Sequence, residues 1–458
     1  MQNKTNDRPR TFFGQPMALA YLSFTEAWER FSYYGMTSIL VLYMSQALLL
    51  PGQVEGIAGM ASFRAGLESI FGPLSTLALA SQIMGLYTGL VYFTPVLGGW
   101  VADRWIGRRT AVMLGAVMMS TGHLAMAFDA SFLLALLLLI TGCGLLKGNI
   151  STQVGELYAE TDGEGRTRAF AIFSMGINVG AVFGPLVVGL LAQLYGWHAG
   201  FGLAGILMLL GLITYIAGFR YLPADKPRAA ATPAHEKTSL NRNQWRIVGA
   251  LAVVSAITIF QSIAYLQNTN MGLIWVDRSV DLTLLGFHVP VAWFNSIDPL
   301  ASIVGVPLLL ALWRHQAARG SEPDDLGKIA TGAWLAALAN LILVAACLLG
   351  TRISVLVPLL YDAVLGIAFL YYWPTLLALV SRTAPARIKA TLMGAVFLSL
   401  FIGNTIIGWL GGLYEHLTPA SFWAMHAAIA ATGGLLAMAL KRPLKRALGI
   451  DQTSATAV

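Results

Sequence analysis

The class of fold is decided by a single stretch, residues 17–49, which reads MALAYLSFTEAWERFSYYGMTSILVLYMSQALL. This stretch is longer than the roughly 20 apolar residues that a helix needs to cross a bilayer. Three Asp, Glu, Lys or Arg residues interrupt it, namely Glu26, Glu29 and Arg30. The stretch therefore predicts a membrane-spanning helix that carries charged groups within the bilayer.

Eleven further apolar runs of similar length occupy most of the remaining chain. Of the 458 residues, 57% are hydrophobic and only 11% are charged. Soluble domains carry roughly 25% charged residues, so most side chains here must face lipid or one another. The twelve predicted spans are 17–49, 77–101, 111–128, 132–153, 169–194, 199–221, 247–271, 289–313, 329–349, 356–380, 391–414 and 422–440.

The spans fall into two sets of six, separated by a polar segment that contains Pro and Ala and has no helical apolar stripe. This layout is typical of the major facilitator fold. The sequence therefore predicts an all-α membrane protein with an N-terminal six-helix bundle at 1–221, a cytoplasmic linker at 222–244 and a C-terminal six-helix bundle at 245–458.

The basic residues predict the orientation of these spans. With both termini in the cytoplasm, 24 Lys and Arg residues lie on the cytoplasmic side and only Arg64, Arg278 and Arg352 lie outside. Positive charge collects on the cytoplasmic side of membrane proteins, so this bias indicates cytoplasmic termini. The net charge of +7 is thus a topology signal, and a nucleic-acid partner is not needed to explain it.

Four charges within the spans form the candidate functional cluster. Glu26, Glu29 and Arg30 share one face of the first span, and Lys147 lies in the fourth. With both glutamates ionised the four charges sum to zero. Protonation of one glutamate leaves a net +1, which an incoming carboxylate would neutralise, so we interpret the cluster as a proton-coupling site. The alternative is an ion-pair cluster that only holds two helices together.

Four motifs resemble the proton-coupled oligopeptide transporter (POT) family of the major facilitator superfamily. Their order along the first 200 residues makes the match specific, whereas the loop motif alone would indicate only the superfamily. The motifs are EAWERFSYYG at 26–35, PVLGGWVADRWIGRR at 95–109, GCGLLKGN at 142–149 and FAIFSMGINVG at 170–180.

The resemblance implies three sets of site residues. The proton-coupling and carboxylate-binding set is Glu26, Glu29, Arg30 and Lys147. Further substrate-binding residues would be Tyr33, Tyr34, Tyr87 and Asn178, whose hydroxyl and amide groups suit a peptide. The gating and structural set is Gly99, Asp103, Arg104, Gly107, Arg108 and Arg109.

The second half departs from the family pattern. The resemblance implies a glutamate five residues before Pro374, but Phe369 occupies this position. Asp298 and Asp362 are the two acids that could replace it as the acceptor for a substrate ammonium group. We interpret Asp298 as this substrate-binding acceptor and Asp362 as an interfacial residue near the outer surface.

The resemblance implies a proton-driven symporter that imports di- and tripeptides by alternating access. Its partners would be the peptide, protons as the coupling ion and the lipid bilayer, with no cofactor. We expect a monomer in a bacterial inner (plasma) membrane. The altered second half favours an alternative substrate, such as a modified peptide, an amino acid derivative or a peptide-like metabolite. A membrane enzyme or sensor is the interpretation from another class, but the HExxH and GxSxG motifs of enzymes are absent from the sequence.

Overall fold

The computed structural model describes residues 11–159, 161–222, 225, 240–350 and 352–450. Most of the predicted linker at 222–244 lies outside the described residues. So do six of the basic residues that contribute to the predicted charge bias, namely Lys4, Arg8, Arg10, Lys226, Arg228 and Lys237.

Helices dominate the described part of the chain, and each of the twelve predicted spans overlaps one of them. They are α1 (Met17–Tyr43), α2 (Met60–Phe71), α3 (Thr76–Val101), α4 (Arg108–Ala125), α5 (Phe132–Glu156), α6 (Gly163–Tyr195), α7 (Trp197–Gly218), α8 (Arg242–Leu266), α9 (Met271–Ser279), α10 (Ile297–Ala318), α11 (Asp325–Leu349), α12 (Leu356–Thr383), α13 (Lys389–Gly411), α14 (Pro419–Ala439) and α15 (Lys441–Leu448).

Ten of the helical segments in the described residues are long and apolar enough to cross a membrane. Helices α1 and α4 fall outside this set. Helix α1 carries Glu26, Glu29 and Arg30, and α4 begins with Arg108 and Arg109. Both helices nevertheless lie where the sequence predicts spans.

Short strands close three of the loops. Strand β1 (Thr11–Phe12) is antiparallel to β2 (Gln15–Pro16), β3 (Val280–Asp281) is parallel to β6 (Ile353–Ser354), and β4 (Thr283–Leu284) is antiparallel to β5 (Phe287–His288). The β4–β5 hairpin turns at Leu285 and Gly286, which have φ values of 52° and 82°. Two consecutive positive φ values are typical of a tight two-residue hairpin turn.

The chain divides into two compact units. One comprises Met1–Met36 and Thr94–Ala231, and the other comprises Thr37–Phe93 and Thr232–Val458. This division cuts both α1 and α3 partway along their length. It does not test the predicted bundle boundaries at 1–221 and 245–458, which stay a prediction.

In the second unit, α3 packs closely on α13. The Thr88 hydroxyl donates to Asn404 Oδ1 over 2.7 Å, and the Ser81 hydroxyl donates to the carbonyl oxygen of Gly408 over 3.0 Å. At Gly85, an added Cβ would lie 2.8 Å from the Gly408 Cα. Small residues on both helices thus bring the two backbones together, as is common in membrane helix packing.

Candidate functional site

The charged residues of α1 form a buried ion-pair cluster. Glu26, Glu29 and Arg30 are 2%, 0% and 2% exposed. The Arg30 Nε lies 3.2 Å from Glu26 Oε1 and also donates to Glu29 Oε2. Because Arg30 follows Glu26 by one helical turn, the two side chains meet on the same face. The pairing that the sequence predicts within α1 is therefore present.

The cluster is not internally satisfied. Glu26 Oε2, Glu29 Oε1 and Arg30 Nη2 are buried, and none of them has a hydrogen-bond partner among the described residues. Buried polar atoms in proteins are nearly always hydrogen-bonded, so three such atoms in one cluster require an explanation. A proton on a glutamate, or an acceptor oxygen beside Arg30, would satisfy them.

Lys147 on α5 belongs to the same electrostatic group. Its ammonium interacts with Glu26, Glu29 and Arg30, and its side chain is partly exposed. Cys143, one turn earlier on α5, is buried and also lies within the field of the cluster. The four predicted proton-coupling residues therefore come together in the first unit.

Tyr33 and Tyr34 extend the cluster along α1. The Arg30 Cζ lies 5.2 Å from the centroid of the Tyr33 ring. The two tyrosine rings meet edge to face, with centroids 5.2 Å apart. A guanidinium group over an aromatic face is an attractive cation–π arrangement. This arrangement places the positive charge of Arg30 next to the aromatic ring of Tyr33.

A stripe of three glycines on α6 positions this part of α1. Gly176, Gly180 and Gly184 recur every four residues and so share one helical face. An added Cβ at Gly180 would lie 2.7 Å from Arg30 Cβ, and one at Gly184 would lie 2.6 Å from the Phe31 carbonyl oxygen. The glycines let the two backbones approach closely and thereby fix the position of Arg30.

Three further predicted substrate-binding residues lie on other helices. Asn178 on α6 is exposed and, two positions from Gly180, is turned by about 200° from the glycine stripe. Tyr87 on α3 and Asp298 on α10 belong to the second unit, and Tyr87 is buried there.

The predicted gating residues form an ion-pair network at the loop between α3 and α4. Arg108 Nη2 lies 2.9 Å from Asp103 Oδ1, and Arg108 Nη1 donates to Glu156 at the end of α5. Gly107 has a φ of 79°, a conformation in which glycine is favoured. Arg104 is exposed, and a Cβ at Gly99 would meet no atom within 4 Å.

Arg109 makes a second set of contacts, on the far side of this loop. Its backbone N–H donates to Asp225 Oδ1 over 3.0 Å, and its side chain donates to the Leu222 carbonyl oxygen. Its guanidinium carbon lies 4.8 Å from the ring centroid of Phe219. Arg109 therefore ties the start of α4 to the chain that follows α7.

The position of the missing glutamate in α12 is filled by an aromatic stack. Phe369 stacks on Tyr265 of α8, with ring centroids 5.0 Å apart, and on Trp373, with centroids 6.3 Å apart. The Tyr265 hydroxyl donates to Asp298 Oδ2. An apolar surface and one tyrosine-bound carboxylate therefore occupy this region of the second unit.

The interpretation of Asp362 as an interfacial residue is wrong. Asp362 is 1% exposed and lies within the electrostatic field of Asp298. The Asn268 side chain of the segment after α8 hydrogen-bonds to it. Its position near the start of α12 suggested an interface, but the face of α12 on which it lies is turned inward, toward α8 and α10.

Comparisons with known proteins identify the family of this chain. A sequence profile described as the POT family matches residues 109–241 and 228–424, which is more than half of the chain. The chain belongs to the POT family. A di-/tripeptide transporter of Lactococcus lactis is 30% identical to this POT protein, covering 98% of this chain and 99% of its own length. A peptide transporter of Yersinia enterocolitica is 27% identical over the full length of both chains.

Solved structures agree with the predicted fold class. A crystal structure of a mutant peptide transporter POT in complex with alafosfalin has a TM-score of 0.83 and 28% identity to this POT protein. The match covers 96% of this chain and 97% of that chain. The all-α major facilitator fold is thereby confirmed, and the chain is a multi-pass membrane transporter, not an enzyme.

The sequence does not predict two contacts of this POT protein. Glu156 pairs with Arg108, and His123 of α4 hydrogen-bonds to Ser32 within the α1 motif over 2.8 Å. Both partners are distant in sequence, so neither pair leaves a local signal. The α6 glycine stripe is visible in the sequence, because small residues spaced four apart are a known signature of helix packing in membranes. Among the described residues, no group of His, Cys, Asp and Glu side chains is arranged to hold a metal ion.

Proposed function

We propose that this chain is a proton-driven symporter that imports di- and tripeptides by alternating access. The observation that carries the proposal is Arg30, which is buried, pairs with two glutamates through Nε and keeps Nη2 without a partner among the described residues. An arginine with a free nitrogen inside a membrane protein is suited to bind a carboxylate.

Proton and substrate would be coupled through the charge of the Arg30 cluster. With Glu26 and Glu29 ionised, Arg30 and Lys147 balance them. A proton on one glutamate frees positive charge, and the carboxyl end of a peptide then neutralises it. Loss of the proton to the cytoplasm restores the internal pairing and expels the peptide. Protons are thus the coupling ion, and no cofactor is needed.

The remaining predicted residues have roles at the ends of the peptide and at the gate. Tyr33, Tyr34, Tyr87 and Asn178 would contact the backbone and side chains of the peptide, and Asp298 would receive its ammonium group. The ion-pair network of Asp103, Arg108 and Glu156 would open and close the cytoplasmic side, as inward and outward states alternate.

The relatives support this substrate class. The Lactococcus lactis and Yersinia enterocolitica proteins are named as a di-/tripeptide transporter and a peptide transporter. The alternative, a modified or peptide-like substrate, is favoured by the aromatic stack of Tyr265, Phe369 and Trp373 where the family resemblance implies an acid. We place the transporter in a bacterial inner membrane, with cytoplasmic termini and a monomer as the functional form.

The test is uptake of labelled dialanine into proteoliposomes, with and without an inward proton gradient, competed by di- and tripeptides. Gradient-dependent accumulation that peptides block is the expected result. Glu26→Gln and Glu29→Gln should each reduce gradient-driven uptake at least tenfold. The matched control is Glu164→Gln, because Glu164 also pairs with an arginine one turn later but is exposed.

Full proton-driven uptake by both glutamate variants would refute the coupling mechanism. Absence of peptide uptake by a folded wild-type protein would refute the peptide substrate. In that case, stabilisation of the protein against heat by a peptide-like compound would favour the alternative substrate.

A further inference from the structure

Two acidic residues of the second unit converge between α10 and α12. Asp298 lies in the first turn of α10, and Asp362 lies in the second turn of α12. Gly366, one turn after Asp362, allows the approach, since an added Cβ there would lie 2.9 Å from Asp298 Oδ1 and 2.6 Å from the Asp298 carbonyl oxygen. Asp362, one turn before Gly366 on α12, lies within the electrostatic field of Asp298.

The groups that surround the two acids are neutral. Asp298 accepts a hydrogen bond from Tyr265 of α8, and the hydroxyl of Ser302, one turn later on α10, donates to the Gly366 carbonyl oxygen over 3.2 Å. Asp362 is bonded by the Asn268 side chain. Tyr361 and Tyr372 of α12 also lie within the field of Asp298. Within the described part of the chain, no lysine, arginine or histidine forms an ion pair with either acid.

Two buried oxygens at this site lack partners. Asp362 Oδ1 and the Tyr361 hydroxyl are without hydrogen bonds to any described residue, although the two side chains are only 1% and 2% exposed. The Tyr361 hydroxyl lies within the electrostatic field of both carboxylates. One buried phenol thus has no acceptor and one buried carboxylate oxygen has no donor, so a small occupant such as a proton would complete the hydrogen bonding here.

Asp362 is buried, whereas Asp298 is partly exposed. If both carboxylates are ionised without a compensating cation, their repulsion adds to the cost of removing the Asp362 charge from water. A single proton removes one charge, supplies a donor for the unpaired oxygen and leaves a net charge of −1. Closely spaced acid pairs in other proteins hold one proton between them for the same reason.

We propose that Asp298 and Asp362 together bind one proton and form a second proton site of this transporter, in addition to Glu26 and Glu29. The remaining negative charge still attracts a substrate ammonium group, so the role suggested for Asp298 is preserved. Use of this proton in transport rests on the proposed function, whereas its binding does not.

Infrared spectroscopy of the purified protein in lipid tests the binding directly. A protonated carboxyl group has a C=O stretching band that is separate from carboxylate bands and shifts in D2O. In a Glu26→Gln, Glu29→Gln background at neutral pH and without sodium, we expect this band to be present. Asp362→Asn, which removes the buried member of the pair, should abolish it, and so should the double variant Asp298→Asn, Asp362→Asn. The control Asp281→Asn, at an exposed aspartate of β3, should leave it unchanged.

A spectrum without this band, or a band that survives both substitutions, would overturn the proposal. Loss of the band on addition of sodium would also overturn it, since the pair would then be a cation site. If Asp362→Asn does not fold, Tyr361→Phe provides the second variant. It retains both acids, so the band should persist with a shifted frequency, and an unshifted band would count against the site.

The transport consequence is measured separately, as the number of protons that accompany each peptide. Asp362→Asn should transport with one proton fewer than the wild type. An unchanged stoichiometry would remove the pair from the coupling mechanism, even with the infrared band present. Absence of peptide uptake in the wild type would instead refute the proposed function and leave the infrared result standing.

Discussion

Arg30 binds both glutamates of α1 through Nε and leaves Nη2 for a ligand. A lysine at this position keeps the charge but offers a single nitrogen, which cannot serve the glutamates and a carboxylate in the same planar geometry. One charge-assisted hydrogen bond is worth about 1.5–3 kcal/mol, or roughly tenfold to a hundredfold in affinity.

Arg30→Lys should therefore weaken dialanine binding by that factor and reduce the preference for a free carboxylate over a C-terminal amide. Competition of uptake by dialanine and by its amide measures both effects. Arg168→Lys, in the exposed pair with Glu164, should change neither. An Arg30→Lys protein that prefers the free acid as strongly as the wild type does would show that the carboxylate binds elsewhere.

The contact between α3 and α13 depends on the absence of a side chain at Gly85. A methyl group there would approach the Asn404 carbonyl oxygen and the Gly408 backbone, neither of which can move aside like a flexible side chain. Overpacking of this kind costs about 1–3 kcal/mol.

Gly85→Ala should thus lower the thermal stability of the purified protein. Gly249→Ala is the matched control, because Gly249 is a helical glycine of α8 with no atom within 4 Å of an added Cβ. That control should be neutral or stabilising by up to about 1 kcal/mol. Equal melting temperatures for the two variants would mean that the α3–α13 contact is looser than described.

Helix α15 is attached to the N-terminus of α11 through one carboxylate. Asp324 caps α11 by accepting from the Gly327 N–H over 2.9 Å, and Lys441 and Lys445 lie 2.9 and 3.1 Å from its oxygens. Partial burial raises the pKa of Asp324, but the hydrogen bonds from Lys441, Gly327 and Lys445 outweigh this and lower the pKa below its usual value.

A lowered pKa in the folded protein means that ionised Asp324 stabilises the fold above the pKa of the unfolded chain, and that this contribution is lost as the pH falls through the folded value. Asp324→Asn keeps a capping group but removes the charge. The wild type should therefore be more stable than the variant near neutral pH, and the difference should vanish in acid. Thermal unfolding at both pH values measures it, and a constant difference would contradict the charge mechanism.

The basic residues predict the orientation of the whole molecule, and labelling can test this prediction. In a Cys347→Ser background, Gln53→Cys should react with a membrane-impermeant maleimide in intact cells. Arg442→Cys should react only after permeabilisation, because α15 is predicted to be cytoplasmic. Buried Cys143 should stay unlabelled in both. The opposite labelling pattern would invert the predicted topology.

At this scale the sequence predicts most of the architecture, because the bilayer requires long apolar helices and leaves few alternatives. It also predicts the α1 cluster, since Glu26, Glu29 and Arg30 are neighbours on one helix. It does not predict Glu156 as the partner of Arg108, or the inward direction of Asp362. Both depend on how distant helices rotate against one another, and apolar spans with low amphipathicity carry little information about rotation.

The glycine stripe of α6 has a consequence for how this gene can vary. Gly176, Gly180 and Gly184 contact α1 closely. A second set of α6 residues, each one position before a member of this four-residue series, is exposed, namely Met175 (58%), Val179 (46%), Phe183 (50%) and Val187 (43%). Mutational tolerance along α6 should therefore alternate between two sets of positions, each recurring every four residues. The glycine positions should tolerate no larger side chain, and the exposed positions should accept almost any apolar residue. Selection that maintains the position of the α1 charges would thus be visible as conservation of the α6 glycines, although none of these charges lies on α6.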